Sequence, residues 1–114
     1  MTRADTARAL GSGDVEVLGT PRALALAEAA TVEAAAASLS PGQTTVGTHV
    51  ELDHLAPSAV GATVRAEATL VYRADRRLTF DVRVTQGDRT VATGRITRAI
   101  VDRKQFQAST DDRG

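Results

Sequence analysis

The sequence predicts an α+β domain in which one long helix is wrapped by an antiparallel sheet of four to five strands. Three observations carry this. The Ala-rich segment Thr20 to Leu39 has a helix-start signal at one end and a helix-stop signal at the other. The stretches after it alternate apolar and polar residues with the period of two expected of half-buried strands. Turn-forming Gly, Pro and Asp clusters separate those stretches. Each predicted strand has one apolar face and only one apolar rod is available to cover, so the sheet must close over the helix.

Composition bounds the rest. A chain of 114 residues is one domain. Fourteen basic side chains balance fourteen acidic ones, which gives no electrostatic reason to expect nucleic acid or an anionic membrane as partner. Tyr72, Phe80 and Phe106 are the only aromatic residues, too few for a base-stacking platform. The absence of cysteine excludes disulfides, a thiol nucleophile and thiolate metal sites. No apolar run approaches the roughly 20 residues of a membrane span, and the N-terminus does not read as a signal peptide. A cytoplasmic location is the default expectation.

Residues 1–13 are polar, with at most a short helical turn around Ala4–Leu10, and Asp14–Leu18 alternates briefly as an extended lead-in. Thr20 suits the N-cap of the long helix and Pro21 its first position. Ser40-Pro41-Gly42 ends it, leaving a rod of about 27 Å. Leu24, Val32, Ala35 and Leu39 cluster about Glu28 on the helical wheel, with Arg22 and Glu33 opposite. Thr44–Leu55 then puts Val46, Thr48, Val50, Leu52 and His54 on one face, and Thr45, Gly47, His49, Glu51 and Asp53 on the other. After a turn at residues 56–61, Val64, Ala66, Ala68, Leu70 and Tyr72 form the inner face of a second strand. Residues 74–76 turn the chain into a third, with Leu78, Phe80, Val82 and Val84 inward. Gln86-Gly87-Asp88 is a hairpin turn, and the fourth strand, Thr90–Asp102, carries Ile96, Arg98 and Ile100 in one phase. The domain is expected to span residues 1–106, with a polar, disordered tail over residues 107–114.

Three polar residues fall in apolar phases. A carboxylate at Glu28, amid a core stripe, costs several kcal/mol unless it is paired or protonated. A place at the helix's exposed edge, or a structural ion pair with Arg98, is the plainer explanation. His54 ends the inward phase of its strand beside a Pro-containing turn. Hydrogen-bonded packing is the common role of such a His, yet imidazole at a strand end is also placed for proton transfer. Thr20 is sufficiently explained as a cap, although a hydroxyl at the positive end of a helix dipole can also meet a developing oxyanion. His49, Glu51 and Asp53 share an outward face that reads as a solvated surface rather than a metal site. No Gly-rich phosphate loop, nucleophile elbow or zinc signature is present.

The segments LGSGDVEVLGTPRALALAEAA at residues 10–30 and PGQTTVGTHVELDHLAPSAVGATV at residues 41–64 resemble the hotdog-fold thioesterases, within the group related to fluoroacetyl-CoA thioesterase. The resemblance extends from about residue 9 to Phe106. It implies a hotdog fold and a Thr/Glu/His catalytic set, whose spacing is met by Thr20, Glu28 and His54. It further implies that Gly47 and Arg98 line the substrate site, and that acyl-CoA sites form at the interface of a homodimer or a higher oligomer. Three departures stand out. No aromatic residue occurs in residues 1–19, where the fluoroacetate enzyme has an aromatic lid, which argues against fluoroacyl specificity. The family usually has a full β-strand before the segment matching Thr2–Gly11, and this chain begins at about the end of that strand. Ile96-Thr97 replaces the His-Glu often found before the last-strand Arg.

The resemblance thus implies hydrolysis of an acyl-CoA or related acyl thioester, with no metal or redox cofactor. His54 would be base or proton shuttle and Glu28 its carboxylate partner or the activator of water. Thr20 would bind or attack the carbonyl carbon. Arg98 would bind the acyl group or a CoA phosphate, or pair with Glu28. A non-catalytic acyl-CoA or hydrophobic small-molecule binding protein of the same fold is the alternative, and hydration of an enoyl-CoA a more distant one.

Overall fold

The computed structural model describes residues 1–111. Among them, strands β1 (Gln43–His54), β2 (Arg65–Ala74), β3 (Arg77–Gln86) and β4 (Arg89–Asp102) form one antiparallel sheet. Helix α1 (Ala7–Leu10) lies in the N-terminal segment, α2 (Thr20–Ala35) is the long central helix, and α3 (Arg103–Asp111) follows β4. The sheet order is β1-β4-β3-β2. Two hairpins join β2, β3 and β4, while β1 pairs with β4 rather than with its sequence neighbour. Residues 55–64 therefore carry the chain from one sheet edge to the other.

Helix α2 packs on one face of the sheet, as its apolar partner requires. The buried face of α2 is Ala23, Ala27, Thr31 and Ala35, one step round from the stripe the helical wheel predicts. The reason is volume. The sheet supplies the bulk of the core through Leu78, Phe80, Val82, Val84 and Ile96, and small helix residues let the rod approach those side chains closely. Of the predicted stripe, Ala35 is buried and Leu24 and Leu39 pack against the core, while Val32 and Glu28 lie on an open flank. Val32 is 51% exposed and the Glu28 side chain 41% exposed. The α-helix also ends before Leu39, at Ala35, and a 3₁₀ turn over Ala36–Ser38 completes it.

Two bulges rewrite the expected strand faces. In β1, Gly47 pairs with Arg98 and His49 with Thr97, so Thr48 is an extra residue. A one-residue insertion flips the side-chain phase. Thr45 and Gly47 consequently share the helix-side face with Val50, Leu52 and His54, whereas Val46 and Thr48 leave it. In β2 the shift between Leu70 and Tyr72 has the same effect: Tyr72 pairs with Thr79 and is 60% exposed instead of facing the core. The inward phases of β3 and β4 are as expected, with Leu78, Phe80, Val82, Val84, Ile96, Arg98 and Ile100 all buried.

Residues 107–111 are helical rather than disordered, and residues 112–114 lie outside the described residues. Asp102 starts α3 by accepting a hydrogen bond from the Gln105 N–H at 3.0 Å, and the Arg103 N–H donates to the Gly42 carbonyl at 2.9 Å. No helix among the described residues is long and apolar enough to cross a membrane.

Candidate active site

Thr20 is not the cap of α2. Gly19 occupies that position in an extended conformation (φ −72°, ψ 140°), and its carbonyl accepts from the Arg22 and Ala23 N–H groups, each at 3.0 Å. Thr20 and Pro21 follow as the first helical residues. Freed from capping, the Thr20 hydroxyl meets the Nδ1 of His54 at 2.8 Å. When the imidazole carries its proton on Nε2, the hydroxyl donates to Nδ1. Nε2 itself is buried, with no hydrogen-bond partner among the described residues.

The chain on either side holds this contact in place. Val17 bridges to Ala59, and the Leu18 N–H donates to the Ser58 carbonyl at 2.8 Å. The segment entering α2 is thus tied to the segment leaving β1. The Gly19 N–H donates to the Asp5 carbonyl at 2.9 Å, and the Asp5 carboxylate pairs with Arg22 Nε at the same distance. A Cβ on Gly19 would lie 2.9 Å from Leu10 Cδ1 and 3.1 Å from the Ala7 backbone, so only glycine lets α1 seat against this corner. The backbone N–H of Thr2 first, and Arg22 second, hold the Asp5 carboxyl below the usual carboxylate range. Sequence reading missed Gly19, Asp5 and Ser58 because their roles come from long-range backbone contacts that no local pattern announces.

A second cluster lies farther along α2. The buried Arg98 guanidinium donates through Nε to Thr45 Oγ1 at 2.8 Å and through Nη2 to the Thr45 carbonyl at 3.2 Å. Its Nη1 stands 3.8 Å from Glu28 Oε2. Burial pushes the Arg98 pKa below its usual value, and the Glu28 carboxylate partly opposes that shift. Gly47 faces both groups: a Cβ there would lie 3.2 Å from Glu28 Oε2 and 3.5 Å from Arg98 Nη1. Thr45 was not expected here, although alternation with Gly47 would have found it once the bulge was known.

The structure therefore brings the five expected residues together as two sets. Thr20 touches His54, and Glu28, Arg98 and Gly47 adjoin one another. Glu28 follows Thr20 by eight residues on one helix, about 12 Å of rise. That rise separates the Thr20 and Glu28 backbones along the helix axis. Beside Thr20 and His54 runs an open groove of about 310 Å³. His49 and Glu51 approach each other at 3.2 Å on the exposed face, and no group of three or more His, Cys, Asp or Glu converges on a point among the described residues.

Comparison with known proteins gives a consistent result. The model of the fluoroacetyl-CoA-specific thioesterase family matches residues 1–104. The fluoroacetyl-CoA thioesterase of Streptantibioticus cattleyicolor is 33% identical over 93 residues, covering 82% of this chain and 67% of the relative. A crystal structure of a point variant of a fluoroacetyl-CoA-specific thioesterase superposes with a TM-score of 0.91 at 28% identity, over 100% of this chain and 89% of that one. Another, in complex with fluoroacetate and CoA, gives 0.85 at 29% identity over 93% and 90% of the two chains. A thioesterase superfamily member from Thermus thermophilus shares the fold, with a TM-score of 0.91 at 24% identity over 98% and 83%. The chain belongs to the fluoroacetyl-CoA-specific thioesterase family, within the hotdog-fold thioesterases.

Proposed function

We propose that the protein hydrolyses acyl-CoA thioesters at sites shared between two copies of the chain. The observation that carries this reading is the division of the expected site into two sets of contacts, whose helix residues Thr20 and Glu28 stand about 12 Å apart along the α2 axis. A two-fold axis sets Thr20 and His54 of one copy opposite Glu28, Gly47 and Arg98 of the other, and so makes two complete sites. The flank of α2 bearing Val32 and Glu28 is uncovered in a single chain, which suits such a contact.

In this site His54 acts as base through Nδ1, on the Thr20 hydroxyl or on a water that the hydroxyl holds. Thioester cleavage needs that activation, together with charge stabilisation at the carbonyl oxygen. Glu28 is the second carboxylate-bearing arm, its charge offset by Arg98, so the site remains near neutral before the oxyanion develops. Gly47 leaves the space beside Glu28 and Arg98 that a side chain would fill, and the thioester carbonyl occupies it.

Complementation tests both halves of the proposal. His54→Ala and Glu28→Ala should each abolish thiol release from acyl-CoA esters. Mixed and re-equilibrated, half the dimers carry one of each chain and one intact site of two, so about a quarter of wild-type activity returns. Wild type that cleaves no acyl-CoA above background overturns the enzymatic reading. Failure of the mixture to regain activity, with exchange shown by mass, places the whole site in one chain.

A further inference from the structure

The groove beside Thr20 and His54 is lined by the N-terminal segment through Ala7, Val17 and Leu18, and by the segment after β1 through Leu55, Ala56 and Pro57. Among the described residues its polar lining side chains are Ser12, Thr20 and His54, and no Asp, Glu, Lys or Arg lines it. The side chains of Ala7, Val17, Leu55, Ala56 and Pro57 give the groove an apolar wall beside its polar end at Thr20 and His54. The two lining segments are fastened to each other by the Val17–Ala59 bridge and the Leu18 N–H to Ser58 carbonyl bond, and the Ala7 N–H donates to the Val17 carbonyl at 2.8 Å. The groove is therefore built into the fold rather than opened by a moving segment.

We propose that this groove is the acyl subsite and that it selects an apolar acyl chain of about four to eight carbons over a two-carbon acyl group; the assignment rests on the thioesterase reading above. At about 30 Å³ per non-hydrogen atom, the volume that a water occupies in the liquid, 310 Å³ has room for roughly ten such atoms. An acetyl or fluoroacetyl group fills a minor part of it and leaves the apolar walls wet. Burying each further methylene is worth up to about fourfold in binding or in kcat/KM.

The test is kcat/KM for acetyl-, butyryl-, hexanoyl- and octanoyl-CoA with wild type, Ala56→Phe and Leu55→Ala. Wild type should gain about twofold to fourfold per methylene up to hexanoyl. Ala56→Phe, which fills the groove, should lower the hexanoyl-to-acetyl ratio at least tenfold, and Leu55→Ala, at a residue 61% exposed and so without a folding role, should lower it about threefold. A wild-type preference for acetyl, a flat series, or variants that lower every ester equally would overturn the assignment. Calorimetry of the same esters separates this from failure of the hydrolytic reading. If nothing is cleaved but affinity still rises with chain length, the groove assignment stands and hydrolysis falls. If affinity is independent of chain length, the groove assignment falls.

Discussion

Replacing Thr20 by valine separates two roles that the sequence alone leaves merged. The substitution keeps the shape of the side chain and removes one hydroxyl, the partner of His54 Nδ1 at 2.8 Å. Were Thr20 the helix cap, its loss would cost about 1 kcal/mol, with a range of roughly 0.5–2. Gly19 holds that position instead, Thr20 is exposed, and Val and Thr have nearly equal helix propensity. Stability should thus change by no more than about 0.5 kcal/mol, as for other surface positions. Activity should fall by about 10²- to 10⁴-fold, the usual worth of a positioned proton-transfer group, which is about 3–5 kcal/mol of barrier. Urea unfolding followed by circular dichroism gives the first number and thiol release from hexanoyl-CoA the second. Thr20→Ser, which retains the hydroxyl, should stay within about tenfold of wild type. A stability loss above about 1.5 kcal/mol, with activity falling only as the folded fraction falls, would restore the capping role and refute the reasoning.

Glu28→Gln removes the carboxylate that faces Arg98. Because Glu28 is half-exposed and 3.8 Å away, the stability cost should be at most about 1 kcal/mol, while thiol release falls at least about 100-fold with every ester. Gly94→Ala should do the reverse: a Cβ there runs into the Glu51 carbonyl of β1, so unfolding should become easier by about 1–3 kcal/mol in urea while the native fraction keeps its turnover. Asp5→Asn should flatten the acid limb of stability. Its carboxyl is held below its unfolded pKa, so the stabilisation is complete above about pH 4–5 and vanishes as pH falls through the lower folded value. Melting temperatures of wild type and variant should therefore differ near neutrality and converge at low pH.

The order of elements was legible in the sequence because it rests on local signals: alternation in β3 and β4, Ala-rich composition with Pro21 at the helix start, and glycine or aspartate in the turns. The candidate site stood out in the sequence because Glu28 and His54 each break a local pattern, whereas Thr20 fits a helix cap and was marked by a spacing that resembles that of a known group. What was hidden is non-local. The insertion of Thr48 into the β1–β4 ladder has no marker in alternation, so Thr45 and Gly47 were placed on the wrong face. The helical wheel centred the inward face on Glu28, whereas the sheet's bulk turned the face of Ala23, Ala27, Thr31 and Ala35 inward, with Leu24 and Leu39 at its border. The pairing of β1 with β4 is set by the crossing segment of residues 55–64, which carries no periodicity.

The β1 bulge makes the spacing between Gly47 and His54 a question of parity. The two residues are an odd number of positions apart, and an unbroken strand would send them to opposite faces. Thr48, as the extra residue, restores agreement, so one strand serves both ends of the helix from the same side. Deleting Thr48 alone keeps both residues on the helix side, because the remaining interval is even. Deleting any one residue between His49 and Asp53 with the bulge intact turns His54 outward and parts it from Thr20. A relative with the two residues an even distance apart should accordingly have a straight strand here, and where the bulge is kept, length variation in this segment should come in steps of two.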